Sequence, residues 1–135
     1  MNNLIEESGG KVTGWGMALG TETVTNADLA AKMDTSNEWI LERTGISERR
    51  IGGSTSGLAV RAGQQALEMA GVKATEIDLL ILATTTPDEQ VPATSAIVQD
   101  QLGLTCGAMD LNAACSGFVY SLVTGFGFLK LGFKR

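Results

Sequence analysis

The sequence predicts an α/β fold around a mainly parallel sheet, and three observations carry that expectation. Stretches with strand character alternate with stretches of helical period. Residues 77–86, IDLLILATTT, are apolar and β-branched but too few for a second long helix, the pattern of a strand buried on both faces of a parallel sheet. A helical stretch separates this run from the next strand-like run, GAMDLNAAC at 107–115, and supplies the crossover that parallel neighbours need, right-handed by default.

Taken in order, residues 11–19, KVTGWGMAL, hold the strand formers Val12, Thr13 and Trp15, with Gly14 and Gly16 permitting close backbone packing, and predict a first strand. TNADLAAKM follows with Thr25 as N-cap and Asp28 three residues on, a short helix with Leu29 and Met33 on one face. DTSNEWILERTG repeats the device: Thr35 and Glu38 form a T-x-x-E capping box and Gly45 is the stop. The polar, glycine-containing residues 46–56 read as a connecting loop, with no domain boundary. From 57 to 70, Leu58, Ala62, Ala66 and Met69 fall at helical spacing and Gly71 closes the helix. After Pro92, ATSAIVQDQLG predicts a helix with Ile97, Val98 and Leu102 inward and Gly103 as its cap. Residues 116–131 form a last, apolar, small-residue helix buried against the sheet.

A chain of 135 residues, 44% of them apolar, suits one globular domain or part of one. The net charge of −5 and scattered Lys and Arg residues argue against a nucleic-acid partner. The N-terminus MNNLIEESGG lacks a basic start with an apolar run, and no window holds the roughly 20 apolar residues of a membrane span, so a cytoplasmic location is expected. Residues 1–10 read as a flexible extension and 11–135 as the folded part. Cys106 and Cys115 make no disulfide framework, and without a histidine no metal-ligand spacing exists.

Cys115, within LNAACSGFVY, carries the chemical interest. It sits where a strand ends and a helix begins, the place where ligands of open α/β sheets collect. The positive end of a helix favours thiolate over thiol, and the small neighbours Ala113, Ala114, Ser116 and Gly117 leave room for an acyl thioester. The same small residues equally suit a buried cysteine in a tightly packed helix, so on the residues alone both readings stand. Cys106 has no helix start beside it and reads as a packing residue.

TNADLAAKMDTSNEWILERTGISERRI, ILATTTPDEQVPATS and DLNAACSGF, in that order, resemble the β-ketoacyl-acyl carrier protein synthase III family from Lys11 to the last residue. The resemblance implies the thiolase fold, two α/β halves in a five-layered αβαβα sandwich, of which this chain holds part of the first, and a homodimer. It implies that Cys115 takes an acyl group from coenzyme A as a thioester and passes it to the carbanion formed when malonyl-acyl carrier protein decarboxylates, its backbone N–H serving the oxyanion hole. Thr35, Trp39 and Arg43 match coenzyme A-binding positions. Trp39 and Arg43, four apart, share a helix face, although spacing alone favours a core aromatic and a solvated charge. Val91 matches the residue that reaches across the dimer into the partner's acyl pocket. Coenzyme A is then substrate, and no cofactor or metal is implied.

The departures are Gly20, where the family usually has proline, and the family's catalytic histidine and asparagine, which match nothing in this chain and lie beyond Arg135. The ending LKLGFKR, where another buried strand would begin, is expected to leave an apolar sheet edge and face bare, as in an N-terminal fragment. Two other readings are a related coenzyme A-dependent condensing enzyme, of polyketide-starter or alkylquinolone type, and a noncatalytic assembly module.

Overall fold

The computed structural model describes residues 10–132. The expected flexible extension, apart from Gly10, and the final residues FKR lie outside the described residues. The chain divides into two compact units, one of Leu19–Gly53 and one of the residues up to Ala18 together with those from Ser54 onward.

In the smaller unit, β1 (Glu22–Thr25) pairs antiparallel with β2 (Glu48–Ile51), in register from Glu22 opposite Ile51 to Thr25 opposite Glu48. The strand β2 corrects the expected loop at 46–56. Its sequence, Glu-Arg-Arg-Ile, hides the strand because most of it faces solvent, so no apolar alternation marks it. Between the strands lie α1 (Asn26–Ala30) and α2 (Asn37–Thr44). The capping box of Thr25 and Asp28 forms as expected, but α1 ends before Met33, which is exposed. Helix α2 is capped by Ser36, not Thr35: the Ser36 hydroxyl accepts from the Trp39 N–H, and Trp39 in that position has no carboxylate with which to close a box. Gly45 ends α2 in the left-handed region, at φ 69°, as expected. Gly20 is buried, and a Cβ there would strike the Ile51 carbonyl oxygen, so this departure from the family pattern accompanies a close backbone approach.

The larger unit runs α3 (Thr55–Ala70), β3 (Leu79–Ala83), α4 (Thr94–Leu102), β4 (Gly107–Leu111) and α5 (Gly117–Lys130). Strands β3 and β4 are parallel, with Leu79 opposite Gly107 and Ala83 opposite Leu111, and α4 is the crossover between them. Helix α3 starts before residue 57 because the Ser54 hydroxyl accepts the Gly57 N–H and caps it. Val60 from α3, Val98 from α4 and Leu104 are its buried apolar residues, while Met69 is exposed.

The first strand expected at 11–19 does not form among the described residues. That stretch pairs with no other strand. Instead it runs against α3, where a Cβ on Gly14 would strike the Ala66 carbonyl oxygen and one on Gly16 that of Ala62. The Met17 N–H donates to Gln65 Oε1 at 3.1 Å, a side chain taking the place of a ladder acceptor. The last helix is likewise less buried than expected: Phe118 is 75% exposed and Val123 64%. Its apolar face borders a groove of about 620 Å³ shared with Val12, Leu79 and Ile81.

Candidate active site

Cys115 stands in a single 3-10 turn, Ala114–Ser116, between the end of β4 and the start of α5. Three constraints shape that turn. Ala114 adopts φ 47°, a left-handed conformation that costs an alanine about 1 kcal/mol or more. The Ala114 N–H donates to Asn112 Oδ1 at 3.3 Å and the Ser116 N–H to the Ala113 carbonyl at 3.0 Å. Gly117 lies where a Cβ would come within 3.3 Å of the Ala83 Cβ, so its missing side chain lets α5 begin against the end of β3.

The chain thus leaves the sheet, reverses through one strained residue and enters a helix with the thiol-bearing residue exposed. The Thr84 N–H donates to the Leu111 carbonyl, so the carboxyl ends of the two parallel strands close together beneath the turn. Cys106, by contrast, is partly buried, and its carbonyl accepts from the Gln99 side-chain amide. The two thiols thus differ in exposure.

Val91 lies on the segment between β3 and α4 and is 88% exposed. Two carboxylates tie this segment down, and sequence reading assigned neither a role. Asp88 accepts from the Thr55 and Ser56 N–H groups at the start of α3, at 2.7 and 2.9 Å. These bonds, those from Ser56 foremost, hold its carboxyl below its ordinary value of 3.8. Asp110 on β4 accepts from the Thr94 and Ser95 N–H groups of α4, at 3.0 and 2.7 Å. The Thr94 hydroxyl links the two by accepting the Asp88 N–H at 2.8 Å. The only signal was a pair of Ser/Thr-rich helix starts, STS and PATS, without their acceptors in sequence proximity.

In the smaller unit, Trp39 and Arg43 do share one face of α2. The guanidinium lies 4.5 Å from the centre of the indole ring, a cation–π contact worth about 0.5–1 kcal/mol at an exposed site. Trp39 is 52% exposed and is not a core residue. Arg43 also lies 4.0 Å from Glu42, an ion pair too exposed to fix it. Thr35 precedes the helix, and its hydroxyl oxygen is buried without a hydrogen-bond partner. Glu38 is held below the usual carboxylate range by its own backbone N–H first, then by Ser36 and Asn37. A half-exposed aromatic with a cation stacked on it can receive a planar, anionic ligand.

Among the described residues no group of side chains could hold a metal ion, and no helix is long and apolar enough to cross a membrane. No family model matches the chain. A β-ketoacyl-acyl carrier protein synthase III of Bradyrhizobium diazoefficiens is 55% identical over 129 residues, 92% of this chain and 40% of that protein. The solved 3-oxoacyl-acyl carrier protein synthase III of Aquifex aeolicus superposes with a TM-score of 0.89 at 44% identity, over 92% of this chain and 41% of that one. The priming β-ketosynthase of the R1128 polyketide pathway superposes at 0.87 with 35% identity, over 93% of this chain and 39% of that one. The chain therefore spans about 40% of the length of the relatives it matches, and its α/β arrangement is part of their thiolase-like fold.

Proposed function

Because the chain is homologous to the β-ketoacyl-acyl carrier protein synthase III proteins along 92% of its own length, we propose that the protein is an acyltransferase that initiates fatty-acid synthesis. The observation that carries this reading is the exposed Cys115 in its strained turn, between the converging ends of two parallel strands and the start of α5. The Cys115 Sγ attacks the acyl carbonyl of an acyl-coenzyme A. The carbon–sulfur bond to coenzyme A breaks, and the acyl group stays on Cys115 while coenzyme A leaves as its thiol. The first N–H groups of α5 lie next in the chain and favour the negative charge that develops on the way. Decarboxylation of malonyl-acyl carrier protein then supplies the carbanion that removes the acyl group.

In this reading Thr35, Trp39 and Arg43 receive coenzyme A: the half-exposed indole takes the adenine ring and Arg43 a phosphate, with Thr35 just ahead of the helix. Val91, exposed on its tethered segment, lines an acyl pocket across a homodimer. The protein acts in the cytoplasm, with acyl carrier protein as its macromolecular partner and no cofactor beyond the coenzyme A thioester it consumes.

Incubation with acetyl-coenzyme A followed by intact-mass analysis tests this. One acetyl group is expected, lost in Cys115→Ser and kept in Cys106→Ser; no adduct, or one that survives Cys115→Ser, refutes the assignment and favours a noncatalytic module. The likeness to a priming β-ketosynthase supports a second reading, a polyketide starter synthase. The 135 residues alone are expected to be inactive in condensation, so condensation of the acylated full-length protein with malonyl-acyl carriers from fatty-acid and polyketide systems separates the two.

A further inference from the structure

We propose that Asn26 is a positioning residue that aims α2, and with it Trp39 and Arg43, at the nucleotide end of the coenzyme A thioester. The inference rests on reading α2 as the coenzyme A contact. Asn26 is 2% exposed, the most buried side chain of the smaller unit. Its amide nitrogen donates one proton to Asn37 Oδ1 at 3.0 Å, on the first residue of α2. The other goes to the Ile46 carbonyl at 2.9 Å, just past the helix end. One side-chain amide thus grips both ends of the helix. Its oxygen accepts from Arg49 Nη1 on β2 at 2.8 Å, and its backbone N–H donates to the Ser47 carbonyl at 3.2 Å.

Little else sets the direction of α2. Ile40 is its one buried residue, so apolar packing alone holds it loosely. Ser36 and Gly45 define where the helix starts and stops, not where its face points. The Trp39 and Arg43 side chains are half-exposed and stack on each other along one face of α2, so they follow the helix axis. A buried amide with both donors committed resists rotation, because turning it leaves its donors unpaired. Small displacements of binding groups lose much of their effect on the ligand, which makes such a grip consequential.

Asn37 tests the grip without disturbing the buried residue, because its own side chain is exposed. Asn37→Asp keeps an oxygen acceptor for Asn26, whereas Asn37→Ala removes it. In the full protein, the Kd for coenzyme A and the KM for acetyl-coenzyme A are expected to rise about tenfold in Asn37→Ala and to stay within about twofold in Asn37→Asp. The rate of Cys115 acylation at saturation should be unchanged in both. Trp39 emission, read in a Trp15→Phe background, should shift in Asn37→Ala alone. Arg49→Met, which cuts the tie to β2, is a second variant expected to weaken binding. Unchanged affinity in Asn37→Ala and Arg49→Met, or equal loss in Asn37→Ala and Asn37→Asp, overturns the proposal while leaving the coenzyme A reading intact. Failure of the unaltered protein to bind coenzyme A overturns both.

Discussion

Ala114 is the non-glycine residue with positive φ among the described residues, and it immediately precedes the proposed nucleophile. Strain of this kind persists only where the surroundings over-determine it, here through Asn112 on one side and the small Gly117 on the other. A β-branched side chain tolerates this backbone worse than alanine does. Ala114→Val is therefore expected to destabilise the chain by about 1–3 kcal/mol in urea unfolding and to slow acetylation of Cys115, read as a mass time course. An equally fast variant would show that the turn does not set the position of the thiol. Cys115 itself was legible in the sequence as a residue between strand and helix, and so was the Trp39–Arg43 spacing. The φ of Ala114 was not, because alanine carries no preference for that conformation. Nor was the role of Asn26, since a turn-forming residue at a helix start reads as local chemistry whereas its partners lie 11, 20 and 23 positions away.

At the scale of elements, the helices were legible through their caps and stops, and the strands less so. Gly71 and Gly103 end α3 and α4 where the sequence placed them. The capping box of α1 formed, but the box expected for α2 did not: Ser36 caps the helix in place of Thr35, because adjacent Thr and Ser compete for one position and only geometry decides. The strand β2 carries no apolar alternation because most of it faces water, and the stretch at 11–19 forms no strand because strand-forming residues need a partner strand before they make a ladder. What carries the site between α3 and α4 is a pair of carboxylates that bridge elements. The bonds from Ser56 and Thr55 to Asp88 make its folded form more acidic than 3.8, so the unfolded chain binds more protons as the pH falls toward that value. This contribution is complete well above pH 3.8 and is lost as the pH falls from there through the lower folded value. The melting temperature of the unaltered chain should thus fall more steeply below that point than that of Asp88→Asn. Parallel acid profiles would show that the tie adds no stability.

At the scale of the molecule, the exposed apolar side chains of α5 and the groove beside them form an extended apolar surface. The chain on its own should therefore bind an apolar dye such as ANS and self-associate with rising concentration. Val123→Glu, at an exposed position of this face, should reduce both without lowering the melting temperature. Dye binding and sedimentation that ignore the substitution would place the association elsewhere. The α/β class and the β3–α4–β4 crossover were legible from periodicity, since both are local patterns joined by a short connection. The division into two units was not, because the smaller one is held by polar ties and a solvent-facing strand pair. That division also has a consequence in time. The larger unit is assembled from chain on both sides of the smaller one, so a ribosome delivers Gly14 and Gly16 first and the seats they need, Ala66 and Ala62, some fifty residues later. At roughly 5–20 residues per second, the leading stretch waits on the order of seconds without its partner, while the contiguous smaller unit is already free to close.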